Sequence, residues 1–188
     1  NNLIEKTTMI TKKNKISLTG MMGSGKSSIG KILAKKFGLP FYDSDKEVEK
    51  KFNLKVNEIF IRYGENRFRV EEELVCKKIL QNKSFILALG GGSILNDSVR
   101  NIIKENCLSI YLRTSESVLF ERLKDDKSRP LLIEKNIKRV IKDLITEREN
   151  YYIKSDIIID NNNNSLETIA DEIITLLNNY KIWQKWKI

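Results

Sequence analysis

The stretch Gly20-Met-Met-Gly-Ser-Gly-Lys-Ser27 constrains the fold more than any other feature of this chain, because it fits G-x-x-x-x-G-K-[ST] directly behind a short apolar run, Ile16 to Thr19. That order predicts a strand, a phosphate-binding loop and the start of a helix. The glycines let the backbone turn several N–H groups inward around phosphate oxygens, while Lys26 adds a positive charge and Ser27 a hydroxyl suited to Mg²⁺. The helix that follows brings its positive end to the same anion site. Ile29, Ile32, Leu33 and Phe37 recur at helical spacing behind the loop, so the motif sits where that mechanism requires it.

Further short apolar runs occur at Pro40 to Tyr42, Phe85 to Leu89, Leu108 to Leu112 and Ile157 to Ile159, and most are nearly continuous, as in strands covered on both faces. Helical patterns alternate with them: Ser27 to Phe37, Lys46 to Phe52, Asn57 to Tyr63, Glu65 to Leu80, Ser98 to Lys104, Ser115 to Leu123, Glu134 to Tyr152 and Leu166 to Asn178. Alternation with right-handed crossovers predicts an α/β sandwich of three layers, a parallel sheet of about five strands between helices. Ligands of such a sheet gather at the carboxyl ends of its strands. The 188 residues, 40% apolar, suffice for one domain over about 15–178, with a flexible basic extension at 1–14 and a tail at 179–188. The charged segment Lys124 to Pro130 lacks apolar periodicity and predicts a mobile lid spanning about 124–135.

The formal net charge of +9 comes mostly from lysines scattered along the chain, without an aromatic-basic stripe, so a nucleic-acid partner is not expected. The charge reads as a solubilising surface that also favours polyanionic nucleotides. Only nine of the 34 basic residues are Arg, which makes each Arg a candidate for gripping phosphate or carboxylate. There is no histidine, which removes Ser-His-Asp hydrolysis and imidazole bases and leaves acid–base work to carboxylates or lysines. Cys76 and Cys107 lack the spacing of a zinc site or redox pair and predict buried thiols in a reducing, cytoplasmic compartment. No run of some 18 apolar residues appears, so no helical membrane span is expected.

The other polar motifs fall behind the predicted strands or in neighbouring helices. Asp43-Ser-Asp45 emerges at the same sheet edge as the loop, where one carboxylate can hold water on Mg²⁺ and the other can orient or deprotonate a hydroxyl. The same residues can also cap the next helix. Arg69 and Glu72 stand three apart on one helical face, either a carboxylate locking a guanidinium for an anionic substrate or a solvent-facing pair. Gly90-Gly-Gly92 ends the third strand, where a plain turn needs one glycine, and three allow a ligand close to the backbone. Arg129, in the lid segment, and Arg148, late in a long helix, fit a surface charge or an anion contact; an Arg on a closing lid can act as an arginine finger. Trp183 and Trp186 in the tail are read as packing on the domain itself, with docking of a partner as the alternative.

In this order the motifs resemble one family, the shikimate kinases, across nearly all of Ile16 to Asn178: the loop, Asp-Ser-Asp at 43–45, Phe-Arg-x-x-Glu at 68–72, Gly90-Gly-Gly92, Arg-Pro-Leu-Leu at 129–132 and Glu-Arg-x-x-x-Tyr from 147. The resemblance implies ATP-dependent phosphorylation of the shikimate 3-hydroxyl, with Mg²⁺, by a cytoplasmic enzyme expected to be a monomer. It implies that Asp45 binds ring hydroxyls, that Arg69 and Arg148 bind the carboxylate, and that the backbone of Gly90, Gly91 and Gly92 joins them, with Glu72 pairing Arg69. Val56, Phe60 and Phe68 match the apolar side of that pocket or plain core. Gly23, Ser24, Gly25, Lys26, Ser27 and Ser28 match the nucleotide loop, Ser28 standing where Thr is more frequent. Arg129 matches a phosphate contact, Arg122 the arginine stacked on adenine, Ser27 the direct Mg²⁺ ligand and Asp43 a water-mediated one. Asp45, Lys26 and Arg129 would then carry catalysis. The run Asn161 to Asn164 occupies the loop that closes over the base in such enzymes, with an unusual composition. A gluconate-type kinase and a catalytically silent nucleotide-binding regulator are the competing readings.

Overall fold

Five strands form a single parallel sheet: β1 (Lys15–Thr19), β2 (Phe41–Asp43), β3 (Phe85–Ala88), β4 (Leu108–Arg113) and β5 (Ile157–Asp160), ordered β2-β3-β1-β4-β5. The computed structural model describes residues 14–126, 136–162 and 164–179. The basic segment 1–13, the lid segment from 127 to 135 with Arg129, Asn163, and the tail from 180 with Trp183 and Trp186 lie outside the described residues. β1 sits centrally, flanked by β3 and β4, so the phosphate loop leaves the sheet where the strand order reverses direction.

Alternation within the strands splits the apolar side chains between two layers. Ile16 and Leu18 of β1 and Ile110 and Leu112 of β4, all fully buried, face α1 (Lys26–Phe37) and α7 (Leu166–Asn179), meeting Ile29, Leu33, Ile169 and Ile173. On the other face, Phe85 and Leu87 meet Cys76 and Ile79 of α3 (Val56–Ile79) and Val99 and Ile103 of α4 (Asp97–Asn106). This two-sided burial explains why the strands read as nearly continuous apolar runs. Cys76 and Cys107 are both buried and free, and burial first of all pushes the Cys76 thiol well above its usual range. No helix among the described residues is long and apolar enough to cross a membrane.

A smaller apolar cluster, Val48, Ile59 and Phe68, joins α2 (Ser44–Phe52) to α3 and stands beside the sheet. A fourth group, with Met21, Met22, Tyr111, Leu119, Leu123, Ile141 and Tyr152, packs α5 (Glu116–Leu123) and α6 (Ile137–Tyr152) over the carboxyl ends of β1 and β4. The expected strands and helices occur with their described ends moved by one or two residues, apart from two helices that join; the start expected at Glu134 lies outside the described residues. One addition is a single 3₁₀ turn, Ser93–Leu95, behind the glycine triplet.

The two helices expected over 57–63 and 65–80 form one element, α3, bent where Gly64 adopts φ 79 and ψ 162. That backbone region is essentially confined to glycine. Nothing lies within 4 Å of a methyl group placed there, so Gly64→Ala costs only backbone strain. We expect it to destabilise the protein by about 1–3 kcal/mol, read as a lower urea midpoint. An unchanged midpoint would show that the bend relaxes without penalty.

Candidate active site

The loop between β1 and α1 is shaped by three glycines with positive φ, Gly20 (141°), Gly23 (78°) and Gly25 (87°), and by a turn in which Ser24 N–H donates to the Met21 carbonyl at 3.1 Å. Gly25 caps α1, and no acidic residue stands in the first turn, so the helix start stays receptive to an anion. Lys26 is nearly buried, and its Nζ donates to the carbonyls of Gly20 and Met21, both at 2.8 Å. The amine is therefore held along the inside of the loop.

Across from α1, Asp43 caps α2 by accepting from Lys46 N–H at 3.2 Å, so of the two Asp-Ser-Asp carboxylates this one carries the capping role. Its other oxygen accepts from Ser27 Oγ at 2.5 Å. A hydroxyl and a carboxylate in contact are hard oxygen donors of the kind Mg²⁺ prefers. No group of three or more His, Cys, Asp or Glu side chains able to hold a metal occurs among the described residues, so such an ion would complete its shell from phosphate and water. Ser27 and Asp43 fit a Mg²⁺ ion held in that way.

The glycine triplet forms the floor on which the remaining candidates meet. A methyl group at Gly90 would collide with carboxylate oxygens of Glu72 and Asp45. One at Gly92 would lie 2.7 Å from Arg69 Cζ, and one at Gly91 would lie 3.6 Å from Arg148 Nη1 and 3.3 Å from Met22 N in the phosphate loop. Three consecutive residues thus leave no free room beside Asp45, Arg148 and Arg69 in turn, and the middle one also lies close to the loop. Here the need for glycine is steric closeness, not positive φ.

Glu72, 1% exposed, organises this floor. Its Oε2 accepts from Arg69 Nη1 at 2.8 Å, and its Oε1 accepts from Ser44 Oγ at 3.1 Å and from Ser93 Oγ. Ser44 Oγ in turn accepts from Gly90 N–H at 2.8 Å. Burial pulls the Arg69 pKa down, but Glu72 and, from the outer side, Glu65 outweigh it and hold the guanidinium above its ordinary value. Arg69 is therefore a fixed cation whose pair is shared with the protein, not a loose surface charge.

Arg148 is 2% exposed, with Nε 3.4 Å from the Glu147 carboxylate. One turn on, the buried Tyr152 hydroxyl donates to the Gly91 carbonyl at 2.5 Å and its ring stacks on Tyr111 at 5.0 Å. Burial raises the Tyr152 pKa, against the pull of nearby Arg148, which keeps the phenol a neutral donor. Phe68 is core, and Phe60 packs edge-on against it, whereas Val56 lines the site.

A cavity of about 580 Å³ is lined by Gly25, Lys26, Ser27, Ser28, Asp43, Asp45, Val56 and Gly91 among others, whereas Arg69, Glu72 and Arg148 stand outside its lining. The loop and the middle glycine of the triplet therefore face one space. At its outer end Arg122 donates to the Gly23 carbonyl at 3.1 Å and to the Asn162 carbonyl at 3.3 Å, which places a guanidinium against the nucleotide loop. Sequence reasoning gave no role to Ser44 or Ser93, and it named Tyr152 only as the end of the Glu-Arg-x-x-x-Tyr motif and Asn161 only within the asparagine run. The Ser44 position within Asp-Ser-Asp and the i,i+4 spacing of Arg148 and Tyr152 carried some signal; Ser93 carried none.

Comparison with known proteins agrees with this arrangement. The family model described as shikimate kinase matches residues 22–178. A shikimate kinase of Thermodesulfovibrio yellowstonii is 42% identical over 159 residues, covering 85% of this chain and 92% of the relative. One of Bartonella quintana is 38% identical over 168 residues, covering 89% and 80%. Among solved structures, a shikimate kinase from Acinetobacter baumannii in complex with shikimate superposes with a TM-score of 0.87 at 33% identity, covering 89% of this chain and 94% of that one. A gluconokinase from Sinorhizobium meliloti, at 17% identity and a TM-score of 0.55, shares the fold alone.

Breaking the network at its centre has a measurable cost. Glu72→Ala leaves Arg69 with only the outer Glu65 carboxylate and two serine hydroxyls without their acceptor, and should destabilise the protein by on the order of 3 kcal/mol. Glu72→Gln, which keeps an acceptor, should cost less. Equal urea midpoints for the two variants would count against a charge-centred network.

Proposed function

The chain belongs to the shikimate kinase family and is an ATP-dependent kinase, and from that premise we propose how its residues transfer the γ-phosphoryl group of ATP to the 3-hydroxyl of shikimate. The products are shikimate 3-phosphate and ADP. The carrying observation is the triplet: Asp45, Arg148 and Arg69 converge on three consecutive glycines, the middle one close beside the phosphate loop.

Arg69 and Arg148 grip the carboxylate of shikimate, one steadied by Glu72 and the other buried beside Tyr152. Asp45, in the first turn of α2, accepts hydrogen bonds from the ring hydroxyls and orients the 3-hydroxyl toward the nucleotide. The N–H groups at the start of α1 and the Lys26 amine hold the phosphates. Arg122 borders the adenine, and Arg129 is assigned a phosphate contact on its sequence motif alone. Mg²⁺, when bound by Ser27 and through water by Asp43, supplies neutralising charge across the phosphates.

Phosphoryl transfer proceeds through a loose transition state, so positioning and charge stabilisation outweigh proton abstraction. Asp45 therefore acts first by aiming the hydroxyl, and takes its proton as the new bond forms. No group in this set is a histidine, and the carboxylate is the base available. The same reading takes the protein as a cytoplasmic monomer without nucleic-acid or membrane partners, in keeping with its two free buried thiols.

ADP release followed in a coupled assay should depend on shikimate and not on gluconate; ADP formation indifferent to shikimate would reject the reading. Lys26→Ala should lower kcat on the order of a hundredfold, as loss of a preorganised charge contact does. Arg69→Ala should instead raise KM for shikimate about tenfold with a smaller change in KM for ATP. Equal effects of the two variants on both substrates would contradict the division of roles.

A further inference from the structure

Asn161 lies directly behind β5 and is completely buried. Its N–H donates to the Arg113 carbonyl at 2.7 Å, continuing the strand pairing of β5 with β4. Its side-chain Nδ2 crosses to the phosphate loop and donates to the Ser24 carbonyl at 2.6 Å. The reversed amide would set oxygen against oxygen at that distance, so this contact fixes the orientation. The other atom of the amide, Oδ1, is buried with no partner among the described residues. A polar side chain kept in a buried place at that cost points to a task other than packing.

The peptide joining Ser24 to Gly25 is planar and trans, so a carbonyl drawn toward Asn161 turns the Gly25 N–H to the opposite side. Gly25 lines the cavity and caps α1, and a methyl group on it would lie 3.3 Å from Asn161 Nδ2. The neighbouring Asn162 works on the same loop from outside, since its carbonyl accepts from Arg122, which also holds the Gly23 carbonyl. Asn162 Oδ1 in turn accepts from Ser115 N–H at 2.8 Å, anchoring the segment to the start of α5.

We infer that Asn161 is a positioning residue for the nucleotide phosphates: by holding the Ser24 carbonyl outward it keeps the Gly25 N–H aimed into the cavity. The asparagine run then serves the phosphate loop at this residue, and not only the base. The inference rests on the reading of the loop as the ATP site, and deepens it. An N–H aimed in advance costs no reorientation when an anion arrives.

The experiment is calorimetric titration of the full chain with MgADP and, separately, with shikimate, for wild type, Asn161→Ala and Asn161→Asp, each well below its melting temperature. Asn161→Asp keeps the shape but replaces the donor with an oxygen facing the Ser24 carbonyl. Both variants should bind MgADP about five- to tenfold more weakly, with Asn161→Asp the weaker, while shikimate affinity stays within about twofold. MgADP affinity within twofold of wild type in both variants would overturn the inference. Parallel loss of shikimate affinity would overturn it too, since general loosening moves both ligands. A wild-type protein that binds shikimate but not MgADP would overturn the nucleotide reading and this inference together, an outcome distinct from a variant-specific loss.

Discussion

The buried Glu72 carboxylate ties together parts of the chain that are far apart in sequence. Its two oxygens receive Arg69 from α3, Ser44 from the start of α2 and Ser93 from the 3₁₀ turn, and through Ser44 it fixes the amide of Gly90. A charge so deeply buried is stable only when such partners surround it. The requirement runs in both directions: the carboxylate needs these donors, and the donors become fixed because it needs them. Rigid placement of Arg69, of the α2 start that carries Asp45, and of the triplet all follow from one unfavourable burial compensated locally.

The sheet supplies the frame for that compensation. Its parallel strands point their carboxyl ends one way, so the loop behind β1, the Asp-Ser-Asp behind β2 and the triplet behind β3 arrive at one edge without special arrangement. The strand order puts β3 beside β1, which is why Gly91 comes so near the phosphate loop that a methyl group on it would lie 3.3 Å from Met22 N. Asp43 shows how local and functional demands combine. One oxygen caps α2, and the other meets Ser27 across the cavity, so the start of α2 is tied to the start of α1.

Much of this was legible in the chain. Short, nearly continuous apolar runs marked the strands and period-3.6 patterns the helices, because a sheet covered on both faces demands the first and helices packed on one side demand the second. The triplet and the Arg69–Glu72 spacing stood out because both are improbable without a steric or ionic reason. Tyr152, Ser93 and Asn161 were harder to see. Their tasks are single hydrogen bonds to carbonyls or to a carboxylate brought near only by folding, and a lone hydroxyl or amide carries no periodicity to betray it. The bend at Gly64 was visible only as a gap between two helical patterns, since glycine in sequence does not state its dihedral angles.

The close approach of Gly91 to Met22 has a consequence for how such a chain can change over generations. A peptide unit of the triplet that lies so close to the loop behind β1 cannot be altered without disturbing that loop as well. The segments around positions 22 and 91 must therefore be inherited as a matched set. Chimeras that join halves of diverged homologues between them will suffer more than those whose crossover leaves the pair intact.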